Sequence, residues 1–206
     1  MKKKIESKLS NITHRWVDLL IPFSNNYSAK YTASELSRIS KIPQQTASRY
    51  LNKFVKLNLL EYERKGKNKL FYFDLEKQTT KVILNLLENQ KALNFQLGVK
   101  SVAVVVNEIL KYSGGLIVFG SYASGDFDKD SDLDLAILGK YDKKKINEIK
   151  RKQTIEINEQ YVSYVELVKL LKSRNSLALE IVRNHILFGN VSKIVDIFWR
   201  RAYERR

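Results

Sequence analysis

The chain has 206 residues, 44% of them hydrophobic, with 37 Lys/Arg against 22 Asp/Glu and no cysteine. This composition supports a packed core and excludes wholesale disorder, and the missing cysteines exclude disulfides, thiolate metal sites and a cysteine nucleophile. A formal net charge of +15 points to a polyanionic partner: nucleic acid, a nucleotide or an anionic membrane surface.

There is no apolar run of about eighteen residues, so no transmembrane helix is expected. The opening MKKKIESKLSNITHRW is basic but lacks the continuous apolar stretch of a signal peptide, and the expected compartment is the cytoplasm. Residues 1–80 hold 16 Lys/Arg and 7 Asp/Glu, whereas 81–206 hold 21 and 15, which suggests two modules with different anionic business.

In chain order, Ile5, Leu9, Ile12, Trp16, Leu19 and Leu20 recur at helical spacing and predict a helix over 4–22. Thr32-Ala-Ser-Glu35 is a capping box that opens a short helix to about Ser40. A turn at Lys41-Ile42-Pro43 leads into a longer helix to about Asn58. Its predicted buried face carries Ala47, Leu51, Phe54 and Val55. Two strands over 59–64 and 70–74 follow, joined by Lys65-Gly66-Lys67-Asn68-Lys69, a composition suited to a hairpin turn.

Helices are predicted over 79–97 and 99–112, the second ending at Gly114-Gly115. Short strands are predicted over 116–119, 133–138 and 155–158, and helices over 162–172, 176–184 and 191–203. No internal repeat or low-complexity tract is visible, and the domain boundary is expected between 75 and 98.

The order helix, helix, turn, helix, hairpin resembles a winged helix-turn-helix over about 45 residues beginning at Tyr31. In such folds the second helix of the motif enters the major groove and the wing touches backbone or minor groove. The outward residues of that helix are Gln44, Gln45, Thr46, Ser48, Arg49, Asn52 and Lys53. Gln and Asn pair with adenine edges and Arg with guanine. Lys65, Lys67 and Lys69 of the wing are the expected phosphate contacts, and double-stranded DNA is the expected partner.

The stretch FGSYASGDFDKDSDLDLAI admits three readings. Asp126, Asp128 and Asp130 alternate as in a calcium loop, but the required Gly and Glu positions hold Ser131 and Ile137. Gly120 and Gly125 are spaced as in a P-loop, but Asp126 and Phe127 follow in place of Lys and Ser/Thr. The third reading joins two pieces. Gly120-Ser121 after a strand turns backbone amides and a hydroxyl toward a phosphate. Asp132 and Asp134 then share one strand face while Leu133, Leu135 and Ile137 face the core. Two carboxylates beside a phosphate cradle suit magnesium.

Gly120-Ser121, ten residues, then Asp132-x-Asp134 resembles the signature of the DNA-polymerase-β-like nucleotidyltransferases, in particular the minimal ones written GSx10DxD. The likeness runs over about 90 residues, from Gly115 to beyond Gly189. It implies a nucleoside triphosphate, ATP first among them, bound with Mg²⁺ in two sites, an acceptor hydroxyl that attacks the α-phosphorus, and pyrophosphate as leaving group. It implies Asp132, Asp134 and, as the third carboxylate, Glu156 in QTIEINEQY as metal-holding catalytic residues, Glu156 holding the metal near the nucleophile. Gly120, Ser121 and Ser131 are the implied nucleotide-binding residues. The resemblance further implies a HEPN toxin protein as an acceptor, this chain being its antitoxin.

The chain departs from that pattern at Ser124, where many minimal members carry Arg. The departure removes a cation near the triphosphate and keeps open a second reading, a regulator that senses a nucleotide. The fold expected is α+β in two domains. A winged helix-turn-helix spans 1–78, a linker or dimerisation helix 79–98, and a nucleotidyltransferase fold with a short mixed sheet flanked by helices 99–206. A homodimer is expected because operators are two-fold. His14 and His185 read as structural or solvated, His185 lying within the family-like closing segment EIVRNHILFGN and being the better candidate to approach a nucleotide. The lysines at 143–145 read as a solvated helix face, and Tyr122 as core or as a stacking partner for a base.

Overall fold

The computed structural model describes residues 15–173 and 176–204. The start of the helix predicted over 4–22, and His14 with it, lie outside the described residues. The chain divides into two compact units, one running to Leu87 and the other from Glu88. Among the described residues no helix is long and apolar enough to cross a membrane.

The first unit begins with helix α1 (Arg15–Asn25), which continues through Pro22 and ends three residues beyond the predicted limit. Its Val17, Leu19, Leu20 and Phe23 are buried. Helix α2 (Ala33–Ser40) starts at the expected capping box: Thr32 Oγ1 accepts the Glu35 amide at 3.2 Å and Glu35 Oε2 accepts the Thr32 amide at 2.7 Å. Such a cap is worth about 1 kcal/mol. Lys41 takes a left-handed conformation to end α2, and α3 (Gln44–Lys56) buries Ala47, Leu51 and Phe54.

Strands β1 (Glu61–Lys65) and β2 (Asn68–Tyr72) form an antiparallel hairpin in which Lys65 pairs with Asn68. The loop is therefore Gly66-Lys67, tighter than the five-residue connection predicted. Gly66, at φ +61, supplies the positive φ that a two-residue turn requires, so Lys65, Asn68 and Lys69 join the ladder. Tyr31 adds a further bridge to Phe71. The unit's core gathers Leu36, Leu51, Leu60, Phe71, Phe73 and Leu75.

Helix α4 (Gln78–Gly98) contains the boundary between the units. In the second unit α5 (Lys100–Leu110) precedes β3 (Ser113–Phe119), the short helix α6 (Gly120–Ser124) and β4 (Leu133–Tyr141). Then come α7 (Lys143–Lys150), β5 (Ile157–Val162), α8 (Tyr164–Ser173), α9 (Ser176–Arg183), β6 (Ile186–Gly189) and α10 (Val191–Tyr203). The sheet order is β5-β4-β3-β6, with β3 antiparallel to both β4 and β6 and β4 parallel to β5. This is a mixed sheet flanked by helices. Val105, Val106, Leu116, Val118, Leu133, Leu135, Ile137, Ile146 and Phe188 fill its core.

Two strands differ from the sequence expectation. The apolar segment at 186–189 is a fourth strand along β3. The strand expected over 155–158 begins at Ile157 and runs to Val162, because its pairing follows β4 from Leu133 to Leu138. Its polar residues 158–160 hid it; an edge strand tolerates them because one side of the ladder faces water.

Below the sheet lies a buried ionic cluster. Glu88 is 0% and His185 2% exposed. His185 Nε2 is 3.0 Å from Glu88 Oε1, its Nδ1 faces the Ile181 carbonyl at 2.8 Å, and its ring stacks on Phe198. Lys91 Nζ lies 3.1 Å from Glu88 Oε2. Burial opposes the Glu88 charge, but Lys91 and His185 together outweigh it and hold the carboxyl below its usual range. A carboxylate depressed in the folded state contributes stability above its unfolded pKa and loses it as pH falls through the lower folded value. Glu88→Ala is expected to cost about 3–5 kcal/mol, because it leaves the buried Lys91 ammonium and His185 ring without their shared partner. Thermal denaturation checks this, and Glu88→Gln should also flatten the acid limb of the stability profile.

Candidate functional site

The nucleotide-site candidates converge at the end of the β3–β4 pair. Phe119, the last residue of β3, pairs with Asp134 of β4. The chain then turns at Gly120, φ +67, into α6. A Cβ on Gly120 would lie 2.3 Å from Asp134 Oδ2, so the backbone approaches that carboxylate as only glycine allows. Along β4, Leu133 and Leu135 are fully buried while Asp132 and Asp134 are half-buried, as alternation requires. Burial pushes the Asp134 carboxyl up, the Asn158 hydrogen bond pulls it down and the neighbouring Asp132 charge pushes it up again; the net direction is upward.

Asn158 is the residue that sequence reasoning missed. It stands opposite Asp134 in the parallel β4–β5 register. Its Nδ2 donates to Asp132 Oδ2 at 3.1 Å and reaches Asp134 Oδ1 at 3.5 Å. Glu156, the expected third carboxylate, lies exposed just before β5, and its carbonyl accepts the Leu133 amide at 2.8 Å. It lines the same cleft as Asp134, Asn158 and the Lys150–Glu159 ion pair. Among the described residues no three His, Cys, Asp or Glu side chains are grouped to hold a metal. The structure thus brings Asp132 and Asp134 together and puts an amide against them. The signal was available: Asn158 follows Glu156 by two residues and so shares its strand face.

The loop between the two pieces is ordered by its own side chains. Asp128 Oδ1 accepts the Asp130 amide at 3.1 Å and the Ser131 hydroxyl at 2.9 Å, and Ser131 Oγ accepts the Asp128 amide at 2.9 Å. Ser131, expected to bind nucleotide, is engaged within this turn. Tyr122 is buried and stacks on Phe127 at 4.5 Å, which settles its alternatives in favour of packing. Ser124 donates to the Ser121 carbonyl at 3.1 Å and closes α6 ahead of Gly125.

In the first unit, an open groove of about 680 Å³ runs between the start of α2, helix α3 and the hairpin. Gln44, Ser48 and Asn52 line one side, and Arg64, Lys67 and Lys69 the other. Gln45, Arg49, Lys53 and Lys65 are exposed beyond the groove, and Thr46 is half-buried. Asn52 and Lys69 are tied together: Lys69 Nζ donates to Asn52 Oδ1 at 2.9 Å and lies over the Tyr62 ring at 4.3 Å, while Asn52 Nδ2 donates to the Ser48 carbonyl at 2.7 Å. Lys69 is therefore a strut between helix and hairpin, unlike the exposed Lys65 and Lys67.

No curated protein and no solved structure matches the chain. Residues 106–193, which hold β3 to β6, the Gly120 turn and both aspartates, match the family model described as Polymerase beta, Nucleotidyltransferase, and that match supports a nucleotidyltransferase domain over this stretch.

Proposed function

We propose that the second unit transfers a nucleoside monophosphate from a nucleoside triphosphate, ATP first among them, to an acceptor hydroxyl. The observation that carries this reading is the pair Asp132 and Asp134 on one strand face beside the Gly120-Ser121 turn, inside the matched stretch. The donor set fits Mg²⁺: the two carboxylates are hard ligands, and magnesium favours one or two carboxylates plus phosphate oxygens. Asp132 and Asp134 would hold it. Bound there, it supplies charge neutralisation for the phosphates and the departing pyrophosphate.

The chain's own groups do the positioning. The amides of the Gly120-Ser121 turn and the Ser121 hydroxyl receive the β- and γ-phosphates. Glu156, exposed at the lip of the cleft, orients the acceptor hydroxyl and takes its proton as the new O–P bond forms and the bond to pyrophosphate breaks. Catalysis of this kind rests on positioning and charge. Incubation with α-labelled ATP and Mg²⁺ tests it: label should reach an acceptor, and Asp132→Ala with Asp134→Ala should abolish the transfer. Undiminished labelling in that double variant rejects the reading. A HEPN toxin is the acceptor suggested by the minimal-nucleotidyltransferase likeness.

The first unit is proposed as a winged helix-turn-helix that holds the chain on double-stranded DNA. Its helix order, capping box and cation-lined groove support this. Lys67→Ala is expected to weaken binding to a random-sequence duplex and to lower the slope of log K against log salt by about 1, one phosphate contact. Lys69→Ala should also lower the thermal stability of the protein, since it removes the strut to Asn52. The exposed Val82, Leu86, Leu93 and Leu97 on α4 favour a homodimer through that helix, which light scattering on the whole chain tests.

A second reading, a transcriptional regulator that senses a nucleotide, is favoured by Ser124, whose hydroxyl serves its own helix end where a cation was expected. Under it ATP–Mg²⁺ alters DNA affinity without pyrophosphate release. Equal affinity with and without nucleotide rejects it.

A further inference from the structure

We propose that Asn158 makes this a one-cation site: Asp132 and Asp134 take a single divalent ion with the nucleotide, and the neutral Asn158 amide stands where a third carboxylate would be needed to hold another on the acceptor side. The inference rests on the nucleotide-site reading above and adds its stoichiometry.

Three observations carry it. The aspartate pair is bounded on both sides. Gly120 closes one, since even a methyl group there would overlap Asp134 Oδ2, and Asn158 closes the other, 3.1 Å from Asp132 and 3.5 Å from Asp134. Next, Asn158 is fixed by the parallel register of β5 on β4, opposite Asp134, so a strand places it there. Finally, Glu156 precedes the strand and is exposed, and no acidic trio forms among the described residues.

Charge then decides the count. Two carboxylates balance one divalent ion, and the Asn158 amide, which meets them through its Nδ2 donor, adds no charge. Two-ion sites set their cations only about 3.5–4 Å apart. At that spacing the ions repel strongly unless further negative charge lies between or behind them. The triphosphate supplies such charge on its own side, whereas on the acceptor side the neutral amide stands against the pair and Glu156, exposed before β5, forms no acidic trio with it among the described residues. The acceptor hydroxyl is therefore left to Glu156.

The experiment counts bound Mn²⁺ by electron paramagnetic resonance on the full chain, with α,β-methylene-ATP present and transfer blocked. The wild type should bind one ion per chain, dependent on the nucleotide. Asn158→Asp, nearly isosteric, should bind two, or bind the second at least about 10-fold more tightly than the wild type, the scale on which ligand-shell changes alter metal affinity. Glu156→Gln should still bind one with unchanged affinity. Two ions in the wild type, reduced to one by Glu156→Gln, would overturn the proposal and leave the nucleotide site intact. An unchanged count in a folded Asn158→Asp protein would overturn it too. No nucleotide-dependent Mn²⁺ binding in the wild type would sink the nucleotide-site reading itself.

Discussion

Gly120→Ala is expected to lower nucleotide transfer by at least about 100-fold, the scale of losing a preorganised charge-stabilising group, and to cost about 1–3 kcal/mol of stability. Two effects add at this one position. The residue sits at φ +67, where an L side chain is strained, and its new Cβ would stand 2.3 Å from Asp134 Oδ2. Either the turn must retreat from the sheet or the carboxylate must swing away, and each separates the phosphate-facing amides from the aspartate pair. Gly66 provides the control. It has φ +61, yet nothing lies within 4 Å of the point a Cβ would occupy. Gly66→Ala should therefore show the backbone strain alone, with transfer unchanged. Equal transfer rates for the two alanine variants would mean that the close approach at Gly120 has no part in the site.

Asp134→Asn should abolish transfer and slightly stabilise the ligand-free protein. The Asp134 carboxyl is held above its usual range by burial first and then by the Asp132 charge. A carboxyl raised in the folded state destabilises the fold when ionised, so stability rises as pH falls through that folded value and the cost is present at neutral pH. Neutralising it removes the cost while keeping the shape. The gain is screened by solvent and is on the order of 0.5 kcal/mol. Activity lost with stability gained marks a group retained for chemistry rather than for packing. A melting temperature that falls in Asp134→Asn would contradict this. Repeating the melts with Mg²⁺ and ATP should reverse the order, because only the wild type gains from binding.

Much of the fold was legible because the signals were local. Thr32 and Glu35 announced the start of α2, and the alternation of Asp132-Leu-Asp134-Leu announced a strand with one wet face. The GS turn and the DxD strand were legible as one site because β3 and β4 are neighbours in both sequence and space. What stayed hidden depended on partners distant in sequence. Asn158 looks like a solvated edge residue until the parallel register sets it against Asp134. Ile186–Gly189 reads as a short apolar connector until β3 is seen to need a second neighbour. Lys69 reads as a free phosphate contact until Asn52, 17 residues earlier, claims its ammonium group.

The buried Glu88–Lys91–His185 cluster bears on where the nucleotidyltransferase domain begins as an object that can fold. The family match starts at 106, but His185 is buried against Glu88, and Phe188 of β6 packs edge-on to Phe95 at 5.9 Å. Both partners come from helix α4, upstream of the matched stretch. A fragment trimmed to the match would keep every residue of the proposed nucleotide site. It would nonetheless strip the floor from beneath the sheet, leaving an imidazole and an aromatic ring facing water. The borders of shared ancestry and the borders of independent folding therefore fall at different residues, and any excision of this module for biochemistry has to carry α4 with it.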